Sequence, residues 1–199
     1  MSEGGPSRLR LRFETVGSIA AIVVGVAALF VSWDQARVMR AQQHASVLPA
    51  IQIDGYWGEY DDGARFGVRV SNNGVGPAVI RHVGLSRDGE AVTDGSALAQ
   101  IFPADSNFSW SSMNGRILAA GSVVEPLSVV LPEEVSPQDG AALVADWVLW
   151  DMEICYCSVF DRCWVTSTES TVDRRRPAGG SCPDTGDDIF EQLGLPARD

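Results

Sequence analysis

The hydrophobic pattern divides the chain into two unlike parts. From Thr15 to Trp33 every residue is uncharged and most are apolar, with no polar face anywhere in the run. Nineteen residues at about 1.5 Å each span roughly 28 Å, close to the hydrocarbon thickness of a bilayer. Arg12 and Glu14 bound the run on one side and Asp34 and Arg37 on the other, with Trp33 placed as an interfacial aromatic. The run exceeds the apolar stretch of a secretory signal, and Asp34 spoils the small-x-small pattern that cleavage after Ala36 requires. It therefore predicts an uncleaved transmembrane helix over residues 15–33, preceded by a short tail, 1–14. The connector, 34–48, is rich in helix formers and predicts an extension of the same helix. Pro49 disfavours helix at Leu48, so the helix should stop near Ser46.

Beyond Pro49 the period changes from helical to two. Ile51 and Ile53 alternate with Gln52 and Asp54; Phe66, Val68 and Val70 alternate with Gly67, Arg69 and Ser71. Asp61-Asp62-Gly63 and Asn72-Asn73-Gly74 read as turns. Val79 to Leu85 reads as a third strand, closed by the hairpin pair Asp88-Gly89. Ser96 to Gly115 reads as loops anchored by Phe102, Phe108 and Trp110. Val123 to Leu131 reads as a strand whose Pro126, lacking a donor, requires an edge or a bulge. Residues 132–137 read as a connection. Trp147 to Tyr156 is the clearest strand, with Val148, Trp150, Met152, Ile154 and Tyr156 on its core face. A hairpin loop then leads into Cys163–Thr168. The expected fold is mainly β: a single N-terminal transmembrane helix followed by an antiparallel β-sandwich over 49–172. A loose C-terminal tail, 173–199, carries a short helix from Asp188 to Leu193.

The turn chemistry carries a resemblance. Val70-Ser-Asn-Asn-Gly-Val-Gly-Pro-Ala-Val-Ile80 followed by Arg87-Asp-Gly89 is similar to the strand–turn–strand signature of immunoglobulin-like bacterial modules of the cell-adhesion-related type. The similarity extends over about residues 64–90. It implies an Ig-like sandwich used for binding or spacing and not for catalysis. The membrane tether and the cysteine-rich hairpin lie outside that pattern.

Charge narrows the partners. Residues 1–40 hold five Arg against three acids, whereas the rest holds ten Arg against 23 acids, a net of −13. An acidic domain repels nucleic acid and anionic lipid headgroups, so the expected partners are a membrane for the helix and a protein for the domain. Arg8, Arg10 and Arg12 precede the helix while Arg37 and Arg40 follow it. By the positive-inside rule this places the N-terminus in the cytoplasm and the domain outside it. All 15 basic residues are Arg, which fits a GC-rich bacterial genome and hence a bacterial inner membrane. Gly17, Ala21 and Gly25 recur every four residues and form a small-residue stripe suited to helix association and a homo-oligomer.

Four cysteines form the main chemical constellation: Cys155, Cys157, Cys163 and Cys182. Cys155 and Cys157 point to one face of a strand, and Cys157 and Cys163 flank a five-residue loop. Three readings follow. Disulfides suit a domain outside the cytoplasm, with Cys157–Cys163 and Cys155–Cys182 preferred among three pairings. Free thiols packed as small apolar groups suit a cytoplasmic domain. A tetrathiolate zinc site at the same four residues is disfavoured, because C-x-C-x5-C-x18-C lacks the usual C-x2-C pairs. No cofactor or catalytic motif is present: no G-x-S-x-G, P-loop, H-E-x-x-H or G-x-G-x-x-G. His44 and His82 lie in separate segments. Asp151 and Glu153 read as the polar rim of a strand, and Asp184, Asp187 and Asp188 as helix-capping residues without calcium-loop spacing. No enzyme activity is expected.

Overall fold

The structure is a computed structural model that describes residues 8–60, 63–93, 96–133, 135, 137–168, 176–178, 182–183 and 189–190. It divides into two compact units, with the boundary between Ala45 and Ser46. The first is one continuous helix, α1 (Arg8–Ser46), whose stretch from Thr15 is long and apolar enough to cross a membrane. Large apolar side chains stand exposed all along it, Leu29 and Phe30 among them, and Arg37 lies over the Trp33 ring. A helix that is apolar all round needs lipid or protein to cover it. The connector and the predicted span are thus one rod, which ends at Ser46 where Pro49 requires it.

The second unit is mainly β and antiparallel. Its strands are β1 (Ile51–Tyr60), β2 (Gly63–Asn72), β3 (Ala78–Arg87), β4 (Glu90–Val92), β5 (Asn107–Trp110), β6 (Ile117–Leu118), β7 (Val123–Val130), β8 (Trp150–Cys157), β9 (Cys163–Ser167) and β10 (Arg176–Pro177). Two short helices interrupt them, α2 (Ser96–Ala99) and α3 (Pro137–Trp147). One sheet has the order β1-β2-β7-β5 and the other β10-β9-β8-β3-β4, with β6 also pairing β3. Both sheets contribute to one hydrophobic core: Ile51, Ile53, Phe66, Val68, Val70, Leu127 and Val129 from the first, Ile80, Val83, Leu85, Trp150, Met152, Ile154 and Tyr156 from the second. Each fully buried side chain of this kind stabilises the fold by about 1.5–3 kcal/mol.

Asn72 ties one end of the domain together. Its Oδ1 accepts from the Ala50 and Gly74 backbone N–H groups, both at 3.1 Å, and its Nδ2 donates to Gly76 O at 2.8 Å and Leu118 O at 3.0 Å. Gly74 and Gly76 lie so close to the backbone of Val47 to Ala50 that a Cβ at either would strike it. The glycines of this turn are therefore there for close approach.

Several sequence expectations shift. Of the two settings expected for Pro126, an edge or a bulge, it takes the bulge, since β7 lies between β2 and β5. Its tolerance comes from a bulge, since Val68 pairs Leu127 and Val70 pairs Val124, leaving Glu125 and Pro126 opposite Arg69 alone. Residues 138–146, given no element from the sequence, form most of α3. The eighth strand therefore starts at Trp150 and not at Trp147. Val148, expected in the core, lies in the turn after α3 and is 77% exposed. The C-terminal segment is not loose where it is described: Ile189 and Phe190 are buried in the main core. Residues 1–7, the Asp61-Asp62 pair, and Asp184, Asp187 and Asp188 lie outside the described residues, as does most of the helix expected over 188–193.

Candidate functional site

The four cysteines come together on the outer face of the second sheet. Alternation along β8 turns Trp150, Met152, Ile154 and Tyr156 into the core and leaves Cys155 and Cys157 on the opposite side. Antiparallel pairing sets Cys157 opposite Cys163. The sulfurs of Cys157 and Cys163 are 2.03 Å apart, and those of Cys155 and Cys182 are 2.09 Å apart. The structure thus brings together the two pairs preferred from the sequence. In this paired state the sulfurs offer no thiolate to a metal. Cys155, Cys157 and Cys182 are buried in a small cluster of their own, with Cys163, Val165 and Ala178 packed against it. Strand register adds a residue that the linear sequence set apart: His82 on β3 stands opposite Cys155. The signal for it was the β3–β8 pairing, which cannot be read from the spacing of His82 alone.

The outer face of the first sheet carries a second arrangement. The β1–β2 register pairs Asp54 with Arg69, Tyr56 with Gly67 and Gly58 with Arg65. Tyr56, Tyr60, Arg65 and Arg69 therefore share one face. Arg65 lies 5.1 Å over the Tyr60 ring and Arg69 5.0 Å over the Tyr56 ring. Tyr56 crosses the bare backbone of Gly67 to reach β7, where its hydroxyl donates to Glu125 Oε2 at 3.2 Å and lies 3.2 Å from Ser128 Oγ. Arg69 closes the set with an ion pair to Glu125 at 3.0 Å. Burial raises the Tyr56 pKa above its usual 10.0; the Ser128 hydrogen bond opposes this and the Glu125 carboxylate reinforces it. The sequence reading missed this face. Its signal was available: with Asp61-Asp62 as a two-residue turn, Tyr56, Tyr60, Arg65 and Arg69 all fall on the side opposite Ile51, Ile53, Phe66 and Val68.

A cleft of about 720 Å³ opens between α3 and the segment after α2. Asp139, Leu143 and Asp146 line it from α3, Ile101 and Phe102 from the other side, and Arg87 bridges its floor to Asp146. Gly17, Ala21 and Gly25 all lie exposed on α1, and a side chain added at Gly17 or Gly25 would meet nothing within 4 Å. Asp151 is occupied structurally, accepting from the Thr168 hydroxyl and, at 3.0 Å, from its backbone N–H. His44 lies at the end of α1. No protein-family model, curated protein or solved structure matches the chain.

Proposed function

We propose that the chain is a membrane-anchored interaction module. One spanning helix displays an Ig-like β-sandwich outside the cytoplasm of a bacterial inner membrane, where the sandwich binds a protein partner. The observation that carries this reading is the strand order. Taking β1, β2, β3, β5, β7, β8 and β9 as strands A, B, C, D, E, F and G, the sheets read A-B-E-D and G-F-C, the constant-type immunoglobulin arrangement. The chain departs from that pattern in its cysteines, which staple a hairpin and the C-terminal segment and do not join the two sheets. Partner recognition is assigned to the outer face of β1 and β2. Tyr and Arg dominate the binding energy of protein interfaces, and the stacking of Arg65 on Tyr60 and Arg69 on Tyr56 limits the ordering cost on binding. Placement of the domain outside the cytoplasm is supported by the paired cysteines and by the arginine excess ahead of the helix.

The test is a photo-crosslinking residue at Tyr60 in intact cells. A discrete protein adduct that disappears with Arg65→Ala or Arg69→Ala supports the reading. An irradiated chain without any protein adduct overturns it. Sidedness is read separately by maleimide labelling of denatured protein with and without prior reduction: cysteines blocked until reduced place the domain outside.

The cleft beside α3 favours a second reading, an effector whose β domain senses a ligand and whose helix self-associates in the bilayer. Leu in place of Gly17, Ala21 and Gly25 would then abolish self-association measured in the membrane. Unchanged association removes that reading.

A further inference from the structure

The two disulfides touch. Cys157 Sγ of one lies 3.8 Å from Cys182 Sγ of the other, and the sulfurs of Cys157, Cys163 and Cys182 all fall within 4.8 Å of one another. They differ in access. Cys155, Cys157 and Cys182 are buried, whereas Cys163 is half-buried at the foot of a hairpin loop whose Val159 and Phe160 are exposed. A thiolate arriving from solvent meets Cys163 first.

We propose that this cluster is a thiol–disulfide exchange site whose co-reactant is a dithiol. It passes exchange from the hairpin bond to the bond that pins the C-terminal segment. A thiolate of the dithiol attacks Cys163 Sγ, the Cys157–Cys163 bond breaks, and Cys157 leaves as thiolate. The second thiol of the dithiol then loses its proton and attacks its own sulfur in the mixed disulfide. The dithiol departs as a disulfide, oxidised by two electrons, and Cys163 departs as thiolate and takes up a proton. Cys157 thiolate, already in contact with Cys182, attacks Cys182 Sγ. The Cys157–Cys182 bond forms, the Cys155–Cys182 bond breaks, and Cys155 leaves as thiolate and is protonated by solvent. The protein has gained two electrons and two protons and kept one disulfide. The tether of the C-terminal segment has moved two residues along β8, roughly 7 Å. Cys155 and Cys157 can serve as alternative ends of that tether because both project from the same face of one strand.

The inference rests on the cysteine pairing and is independent of the partner-binding face. Two measurements on the full chain in detergent test it. In the Cys163→Ser variant one thiol remains among three cysteines; alkylation followed by peptide mapping is expected to find label on Cys155 as well as Cys157, together with a Cys157–Cys182 peptide. Label on Cys157 alone overturns the proposal. The wild-type chain supplies the second arm, which does not depend on the variant folding. Brief dithiol treatment, acid quenching and alkylation should give a one-disulfide species joined at Cys157–Cys182, with Cys155 and Cys163 labelled. A species joined at Cys155–Cys182, with Cys157 and Cys163 labelled, overturns it. So does a chain whose four cysteines all label before any reduction.

Discussion

At the scale of single residues, the polar group with the most structural consequence is Asn72. It is fully buried, and its side chain serves two backbone donors and two backbone acceptors from three separate segments. Asn72→Ala strands those groups without partners and should destabilise the domain by about 3 kcal/mol, read as a lower urea midpoint by tryptophan fluorescence. The sequence identified the turn at Asn72-Asn73-Gly74, because Asn and Gly mark turns locally. It did not reveal the clamp, because Ala50 and Leu118 lie 22 and 46 residues away. Tyr56 gives a pH prediction with a definite sign. Its pKa is raised in the fold, so the stability it contributes is complete below pH 10 and declines as pH rises through the raised value, where the unfolded chain ionises first. Alkaline unfolding should therefore begin at higher pH in Tyr56→Phe, and the ultraviolet titration should lose one phenol whose ionisation is displaced above the usual range. Gly67→Ala would push a methyl group into Tyr56 and the Leu127 carbonyl, and should loosen the Arg69–Glu125 pair with it.

At the scale of elements, alternation was the dependable signal and α3 shows where it stopped. Strands β1, β2, β3 and β7 were legible because apolar residues recur every second position and turns bound them. α3 was not assigned, although Pro137 stands at its first turn, where a missing N–H costs nothing, and Asp139 follows it. Gly140 and the two alanines after it mask its helical period. The structure explains the glycine: the Trp57 ring occupies the space that a side chain at Gly140 would take. Trp147 ends the helix against Gly55 and stands edge-on to Phe66 at 4.9 Å, and Phe66 in turn meets Phe102 at 5.3 Å. Trp147→Ala should cost about 3 kcal/mol and flatten the near-ultraviolet circular dichroism of this aromatic group. The hairpin gave a reason to prefer Cys157 with Cys163, since a five-residue loop can set the two opposite each other, and left Cys155 and Cys182 as the remaining pair without a geometric reason of their own. The contact between the two pairs was not readable, because it depends on where Cys182 lies against β8, 25 residues from Cys157.

At the scale of the whole molecule, two distant stretches complete what the strands begin. The Cys155–Cys182 bond closes a loop of sequence separation 27, and removing it should lower stability by about 3 kcal/mol, measured as a fall in the thermal midpoint of the Cys155→Ser, Cys182→Ser double variant. Phe190 is fully buried in the core shared by both sheets, and Phe190→Ala should cost about 3–4 kcal/mol in the same assay. The Phe190 contribution was not visible in a tail whose composition reads as linker, whereas Cys155–Cys182 was already the preferred partner pair for that tail's cysteine. Phe190 also sets an order of events during biosynthesis. The ribosome delivers α1 first and Phe190 more than 140 residues after the helix ends, at about 5–20 residues per second. For seconds after the helix has left the ribosome, the two sheets lack a side chain of their shared core. Until that side chain is made the core shared by both sheets is incomplete, so the domain reaches its full stability only when synthesis of the chain is nearly over.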